Sequence, residues 1–270
     1  MAQLPSLHAD DHPLLPALAS HGIDAKPVIW SAPADWGSYD LVVVRSCWDY
    51  TARREQFLAW AASVPRLANP AAVLSWNTDK RYLAEIAAAG VPVVPTTFVA
   101  PGEPYEAPAY EHVVKPTVSA GARDTARFAA GQSSLAHAQA LLAAGRHVMV
   151  QPYVRAVDTV GETAVLSFAG THSHAVGKAA VLVPTLADPH DVAITPRTPS
   201  AAELAVAAQV LAAAPFEDLL YARVDLVPGA DGAPVLMELE VAEPSLFLST
   251  STSTGAVDRF ATAIAVVVAS

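Results

Sequence analysis

The chain has a single cysteine, Cys47, among its 270 residues. One thiol cannot form an intrachain disulfide, and it excludes the zinc sites that are built from several cysteines. The N-terminus carries neither a basic leader nor an apolar run, so we expect no signal peptide. The most apolar stretch, Phe260–Ala269, is too short to span a bilayer. We therefore expect a cytoplasmic protein without a membrane partner.

Charged residues are also scarce. They make up 16% of the chain, and 16 basic against 26 acidic residues give a formal net charge of −10. Such a surface does not favour binding to a phosphate backbone, so we expect no nucleic acid partner. Any phosphate chemistry must depend on a few lysines and arginines in one cleft. The hydrophobic fraction of 53% excludes a disordered chain.

Several common catalytic motifs are missing as well. The sequence contains no glycine-rich Walker loop, no dinucleotide-binding fingerprint, no His-Glu-x-x-His and no Gly-x-Ser-x-Gly. These absences disfavour the reaction classes that depend on those motifs.

Patterns typical of helices and strands alternate along the chain. The apolar run Leu41–Ser46 predicts a buried strand, and Pro27–Trp30 and Val73–Trp76 predict two shorter ones. The proline-rich segment Thr185–Pro199 predicts an irregular loop. We predict an α/β fold that includes α+β units. The expected subdomains are residues 1–76, 77–154 and 155–270.

The strongest constellation is an acidic hairpin near the C-terminus. The Pro-Gly-Ala-Asp-Gly-Ala segment predicts a turn between two strands. If Gly229 pairs with Pro234, the alternation of side chains places four charged groups on one face. The predicted facing pairs are Asp225 with Glu238, and Arg223 with Glu240. Converging carboxylates repel each other unless a cation lies among them, and their hard oxygens suit Mg²⁺. A solvated outer face is the alternative interpretation.

Two further segments have the composition of nucleotide-binding loops. Lys115 ends a predicted strand, and the small residues Ser119–Ala122 that follow allow backbone N–H groups to approach a phosphate. Gln151-Pro152 interrupts an apolar strand, which leaves a backbone N–H and C=O free for an adenine edge. From spacing alone, a plain turn and an interdomain linker remain the simpler interpretations.

Polar and aromatic side chains follow the strand predicted over Leu41–Ser46. Arg45, Trp48 and Tyr50 lie at its carboxyl end, where ligands often bind in open α/β sheets. We predict a substrate-recognition patch there.

Taken together, these segments resemble the ATP-grasp superfamily over nearly the whole chain. The family has a first lysine, a second lysine with a small-residue loop, a hinge, and acidic ligands on two late strands. Here this order is met by Asn77–Lys80, Val113–Gly121, Val150–Val154, Arg223–Asp225 and Met237–Glu240. Four strings are similar to the actinobacterial branch that contains the O-ureido-serine cyclo-ligase: Arg45–Tyr50, Trp76–Tyr82, Ser119–Thr125 and Glu238–Phe247.

The resemblance implies an ATP-grasp fold with ATP between the central and C-terminal subdomains. It also implies that ATP and Mg²⁺ convert a carboxylate to an acyl phosphate, which an internal nitrogen attacks to form D-cycloserine from O-ureido-D-serine. Such catalysis depends on positioning and charge neutralisation rather than on a covalent enzyme intermediate.

The resemblance also assigns roles to individual residues. The nucleotide would contact Lys80, Lys115, Ser119, Gly121, Gln151, Tyr153, Val154 and, at the ribose, Asp158. The transferring phosphoryl group would be neutralised by Lys178 and Arg223. The Mg²⁺ ligands would be Asp225, Glu238 and Glu240. The small amino-acid-like substrate would contact Arg45, Trp48, Tyr50, Glu243 and Ser245.

The sequence departs from the family pattern at two places. Glu240 stands where the family usually has Asn, which adds a negative charge and points to a second Mg²⁺ or a different Mg²⁺ geometry. The family also begins with a buried strand, and Met1–Leu4 is too short and too polar to form it. We therefore expect an incomplete first sheet.

Three other functions stay open at this point. An amine or peptide ligase would use the same ATP site with an external nucleophile. A regulatory protein would bind a nucleotide without turnover, and a structural domain would expose the acidic hairpin to solvent. Release of ADP with candidate amino acids separates the ligases from the other two. The sequence leaves a homo-oligomer open.

Lys115 and Arg223 are predicted to affect different kinetic constants. Lys115→Ala should mainly weaken ATP binding, because its charge would meet phosphate in the ground state. Arg223→Ala should mainly lower kcat, because its charge would count most during transfer. We expect losses on the order of 10²-fold or more. Steady-state kinetics at saturating Mg²⁺ measures both, and near-normal kcat and KM in both variants would remove the phosphate-transfer interpretation.

Overall fold

The computed structural model describes residues 1–182, 192–250 and 255–270. These residues form eight α-helices and eleven β-strands. The helices are α1 (Leu14–Ser20), α2 (Arg54–Ser63), α3 (Ala71–Asn77), α4 (Tyr82–Ala88), α5 (Leu135–Ala143), α6 (Val157–Val160), α7 (Ala201–Ala213) and α8 (Ala256–Ala269). The strands are β1 (Val42–Val43), β2 (Leu67–Ala68), β3 (Thr97–Val99), β4 (His112–Pro116), β5 (Ala126–Phe128), β6 (Val148–Pro152), β7 (Glu162–Phe168), β8 (Thr171–Lys178), β9 (Ile194–Arg197), β10 (Tyr221–Pro228) and β11 (Pro234–Glu240).

The largest sheet is antiparallel, with the strand order β11-β10-β7-β8-β9. At the hairpin turn Pro228 pairs with Pro234, so the predicted pairing of Gly229 with Pro234 is wrong by one residue. A β-bulge then skips Met237 and shifts the register back. The predicted facing pairs are therefore confirmed: Asp225 lies opposite Glu238, and Arg223 lies opposite Glu240.

The two faces of this sheet pack against different helices. On one face, Val224 and Leu226 belong to the apolar cluster that contains Phe57 of α2. On the other face, the Tyr221 ring meets Phe260 of α8 edge-on, with 6.0 Å between ring centroids. Because side chains alternate along β10, the second face also carries its charged residues.

A four-stranded sheet with the order β3-β6-β4-β5 lies beside it. Helix α5 covers one face, where Val114, Val148 and Val150 pack against Ala138 and Leu141. The opposite face carries Lys115 and Gln151, since Lys115 pairs with Met149 and Val113 pairs with Gln151. Met149 joins the apolar cluster of the five-stranded sheet, so this polar face turns towards that sheet.

Local signals explain where the last two long helices begin. Helix α7 starts with a capping box, in which Ser200 accepts from the Glu203 N–H and the Glu203 side chain accepts from the Ser200 N–H. Helix α8 starts after Gly255, whose φ of 71° lies in the left-handed region that glycine tolerates. Helix α7 packs on β10 and β11, and α8 packs on β7 and β8.

Some of the predicted elements are wrong in the N-terminal part. Val73–Trp76 lies within α3, because a short buried apolar run does not distinguish a strand from a buried helix. Pro27–Trp30 forms no strand. The first sheet consists of β1 and β2, which are parallel and two residues long each. The boundaries of the three subdomains stay a prediction.

Part of the loop predicted over Thr185–Pro199 lies outside the described residues, which omit 183–191. The remainder is not irregular throughout, because β9 pairs with β8 there. Among the described helices, none combines the length and the apolar character that crossing a bilayer requires.

His174 makes stability depend on pH. It is 4% exposed, its Nε2 lies 2.9 Å from the Leu246 carbonyl oxygen, and burial lowers its pKa to about 4. The unfolded chain takes up this proton near pH 6.5, so the free energy of unfolding should fall by about 3 kcal/mol between pH 6.5 and 4. Urea unfolding of the wild type and His174→Gln measures this contribution. Equal pH slopes in the two proteins would contradict it.

Candidate active site

A cavity of about 550 Å³ lies between the facing surfaces of the two larger sheets. It contains most of the residues predicted for the site. The nucleotide residues in its wall are Lys80, Lys115, Ser119, Gly121, Gln151, Tyr153 and Val154. The phosphoryl and metal residues in its wall are Lys178, Arg223, Asp225, Glu238 and Glu240. The substrate residues in its wall are Trp48, Tyr50, Glu243 and Ser245. Tertiary structure thus brings these residues together, while their individual roles stay predictions.

The charged wall of the five-stranded sheet is a row of ion pairs centred on Asp225. Asp225 accepts from Arg223 Nε at 2.9 Å and from Lys178 Nζ at 2.6 Å. The row extends at both ends, because Lys178 also lies 2.8 Å from Glu162 and Arg223 lies 2.5 Å from Glu240. The two cations are therefore held in place before any ligand binds.

Two lysines approach this wall from different directions. Lys80 Nζ donates to the Ser119 carbonyl oxygen at 2.8 Å and lies 3.0 Å from Glu238, so it joins the small-residue loop to β11. The Lys115 ammonium group forms no hydrogen bond or ion pair with the described residues. Burial lowers its pKa, and Glu238 and Glu162 oppose the shift only in part.

The carboxylates of the hairpin differ in how far they are neutralised. Burial opposes the ionisation of Asp225 and Glu238, but their cationic neighbours hold both pKa values below the ordinary range. Burial, reinforced by Glu238 and Asp225 and opposed by Arg223, raises the pKa of Glu240 to about 7. Burial and Glu240 raise the pKa of Glu243 well above its ordinary value. Negative charge is thus in excess at this end of the cavity.

The donor chemistry of this wall fits a magnesium ion that is shared with phosphates. Glu238 and Glu240 are hard oxygen donors on one face of β11, and their side chains are 22% and 27% exposed. Among the described residues, no group of three His, Cys, Asp or Glu side chains could enclose an ion by itself. Mg²⁺ at this place would complete its coordination with water and with oxygens of a bound phosphate.

The segment after β6 presents backbone groups to the cavity. Tyr153 and Val154 line the wall, and the Val154 N–H has no backbone or side-chain acceptor among the described residues. The Tyr153 ring is covered by the Arg127 guanidinium, 3.4 Å from its centroid. An unpaired backbone donor beside a ring is what the edge of an adenine base requires. The segment is thus suited to a flat heteroaromatic ligand.

Asp158, predicted at the ribose, does not lie in the cavity wall. Its carboxylate lies 3.3 Å from Arg127 Nη2 and accepts a short hydrogen bond from the Tyr153 hydroxyl. Arg127, on β5, pairs with Asp158 and lies over the Tyr153 ring, while the role of Asp158 at the ribose stays a prediction.

Arg45, predicted at the substrate, is also outside the cavity wall. It is 7% exposed and pairs with Asp11 at 2.7 Å, while its Nη1 donates to the Pro244 carbonyl oxygen at 2.7 Å. Sequence reasoning placed it correctly at the end of β1, but could not show that Asp11 neutralises it. Arg45 therefore joins Asp11 to the segment after β11 and stabilises the cavity wall without lining it.

Several further residues line the cavity without a motif in the sequence that marks them. Glu162 is one of them, and it pairs with Lys178 across β7 and β8. Both residues stand in predicted strands, but only the pairing of those strands shows that the two charges face each other. The N-terminal residues His8 and Asp10 and the aromatic Phe247 are further examples. Their positions depend on contacts between distant segments.

Comparison with known proteins shows the family. Residues 1–69 match the family model described as "D-cycloserine synthetase DcsG, N-terminal domain". The chain is also 42% identical to the "Cycloserine biosynthesis protein DcsG" of Streptomyces lavendulae, over 95% of its own length and 93% of that protein. The chain belongs to the D-cycloserine synthetase family.

Solved structures agree with this family. The "Crystal structure of D-cycloserine synthetase DcsG" has a TM-score of 0.85 and 40% identity, and the match covers 95% of this chain and 93% of that one. The "ATP-grasp ligase PsnB complexed with minimal precursor, Mg, and ADP" has a TM-score of 0.62 and 18% identity, covering 97% and 94%. The second similarity shows the fold alone. The predicted ATP-grasp fold is thereby confirmed, as is the assignment of the chain to the ligases that form carbon–nitrogen bonds.

Arg45 is expected to affect stability rather than substrate binding in this family member. Arg45→Met leaves the buried Asp11 carboxylate unpaired, which should lower the free energy of unfolding by about 3–5 kcal/mol. Adding Asp11→Asn should recover part of the loss, because the unpaired charge is removed. Chemical denaturation of the two variants measures this. A variant that unfolds like the wild type but has a raised KM would return Arg45 to the substrate site.

Proposed function

We propose that this chain uses ATP to close O-ureido-D-serine to D-cycloserine. One observation carries the proposal: an unpaired lysine and a preformed row of cations and carboxylates face each other across one cavity. The family's members include a cycloserine biosynthesis protein with 42% identity to this chain. The net charge of −10 makes such a local site necessary for binding a triphosphate.

The nucleotide is held between the two sheets. Lys115 and Lys80 contact its phosphates, and the backbone of Ser119–Ala122 closes over them. The Val154 N–H binds the adenine edge, and Tyr153 lies beside the base. Lys115 supports this assignment most directly, because its half-buried ammonium group has no ion pair among the described residues and is stabilised when a phosphate arrives.

Arg223 and Lys178 act on the transferring group. Asp225 holds both cations, so little reorganisation is needed when negative charge develops. A substrate carboxylate oxygen attacks the γ-phosphorus, the bond to the bridging oxygen breaks, and ADP leaves. The products of this step are an acyl phosphate and ADP.

Ring closure and deprotection complete the reaction. The nitrogen attached to the side-chain oxygen attacks the acyl carbon. The bond between that carbon and the phosphate oxygen breaks, and inorganic phosphate leaves with its electron pair. The nitrogen loses its proton, and the ring carries a carbamoyl group. Hydrolysis by one water releases this group as carbon dioxide and ammonia, which leaves D-cycloserine.

Mg²⁺ is part of the proposal. Glu238 and Glu240 would hold it, while both oxygens of Asp225 are engaged with Arg223 and Lys178. The ion neutralises phosphate charge when bound. Burial, together with Glu238 and Asp225, raises the pKa of Glu240, and a cation at this place would favour its ionised form.

Turnover of O-ureido-D-serine with ATP and Mg²⁺ tests the proposal. We expect equal amounts of ADP and of a product with the mass of D-cycloserine. Lys115→Met should raise the KM for ATP on the order of 10²-fold. Lys26→Met is the matched control, because the Lys26 side chain is 65% exposed.

Two outcomes would contradict ring closure. If ADP forms only after a second amine is added, the chain is a ligase with an external nucleophile. If no ADP forms with any amino acid while the nucleotide binds, the chain does not activate carboxylates.

A further inference from the structure

A short turn near the N-terminus forms part of the cavity wall. Residues Ala9–Asp11 make one 3₁₀ turn, which is tied to the chain after β1. Asp11, 1% exposed, accepts from Arg45 at 2.7 Å and from the Ser46 hydroxyl at 2.9 Å. The His8 N–H also donates to Ser46 Oγ, at 3.1 Å. These contacts fix the turn, so the position of its remaining acid is well defined.

That remaining acid is Asp10, which lines the cavity and is 9% exposed. Its Oδ1 accepts two hydrogen bonds from Ser249, at 3.0 Å from the N–H and 2.7 Å from the hydroxyl. Its Oδ2 is buried and has no hydrogen-bond partner among the described residues. Leaving a buried carboxylate oxygen unpaired is costly, so a missing donor is the physical explanation.

The surroundings indicate the charge of that donor. No cation of the described residues forms an ion pair with Asp10. Glu243, 6% exposed, lies in the same cavity, and burial together with Glu240 raises its pKa. Arg45 acts electrostatically on both acids but forms its ion pair with Asp11, so neither Asp10 nor Glu243 has an ion pair among the described residues. A ligand ammonium group would supply the donor that Asp10 Oδ2 lacks.

The segment Ser245–Ser249 connects this acid to the phosphoryl-transfer residues. The Ser245 carbonyl oxygen accepts from Arg223 Nη1 at 3.1 Å, and the Phe247 ring lies 5.4 Å from the Arg223 guanidinium carbon. Ser249, at the other end, holds Asp10. Four residues of chain span at most about 14 Å, so one short segment contacts both Arg223 and Asp10.

We propose that Asp10 Oδ2 accepts a hydrogen bond from the α-ammonium group of the substrate, and thereby turns its carboxylate towards Arg223. The proposal rests on the proposed function, because it assumes an amino-acid-like substrate. Asp10 is a binding and orienting residue, and it transfers no proton and forms no bond to the reacting carbon.

Two compounds that differ only in the ammonium group test the role of Asp10. They are O-ureido-D-serine and its analogue in which hydrogen replaces that group. Binding of each to the full chain with ADP and Mg²⁺ is measured by titration calorimetry, for the wild type, Asp10→Asn and Asp24→Asn. Asp24 is the matched control, since its side chain is 80% exposed. Thermal denaturation of each variant checks the fold.

Asp10→Asn should weaken the binding of O-ureido-D-serine on the order of 30-fold, as for the loss of one partner of a buried charge pair. It should leave the weaker binding of the analogue unchanged, and Asp24→Asn should change neither. Equal losses for both compounds, or no loss for either, would overturn the role of Asp10. ADP release is measured in parallel. If the binding difference is found but the wild type releases no ADP, the proposed function fails and the ammonium site stands.

Discussion

The ion pairs of Asp225 are the interaction on which the arrangement of the cavity depends. A carboxylate that is 2% exposed must be compensated by charge, because burying an unpaired ion is far more costly than burying a neutral group. Arg223, on the same strand, and Lys178, two strands away, supply that compensation. The pairs join β10 to β8 across β7, and they orient both cations towards the cavity. The site is therefore organised before a ligand binds.

The same wall is not electrically balanced. Burial lowers the pKa of Lys115 and raises those of Glu240 and Glu243, and neighbouring charges of opposite sign offset the shifts only in part. Incompletely compensated positive and negative groups in the wall of one cavity are what a triphosphate with a divalent cation complements. Binding of the nucleotide with its metal ion would compensate both kinds of charge, since the phosphates would pair with the lysine and the metal ion would lie beside the carboxylates. This incomplete pairing is thus informative about the ligand.

Contacts between distant segments build the rest of the wall. Arg45 pairs with Asp11 and also holds the Pro244 carbonyl, so the N-terminal turn, the end of β1 and the segment after β11 are joined at one point. The Trp48 indole N–H adds a bond to the Glu243 carbonyl at 3.2 Å. Behind the cavity, the side chain of Asn69 binds backbone groups of Tyr221 and Val241, at 2.9 and 2.7 Å. Buried polar groups with satisfied hydrogen bonds thus hold three segments in one orientation.

The sequence by itself placed Asp225, Glu238, Arg223 and Glu240 on one face of a hairpin, because side-chain alternation along a strand is local. It also indicated the fold through the order of its motifs. The strand interruption predicted at Gln151-Pro152 is wrong, because β6 pairs with β4 through Pro152. The sequence could not determine the bulge at Met237, which offsets an error at the turn, nor that Val73–Trp76 is helical.

Only the tertiary structure decided which charges are already neutralised. Arg45 and Asp158 pair with Asp11 and Arg127, which come from segments distant in sequence, and neither lines the cavity. Asp10 does line it, and one of its carboxylate oxygens is buried without a donor. The physical reason is that the position and the neighbours of each charge are set by packing between distant segments rather than by spacing along the chain.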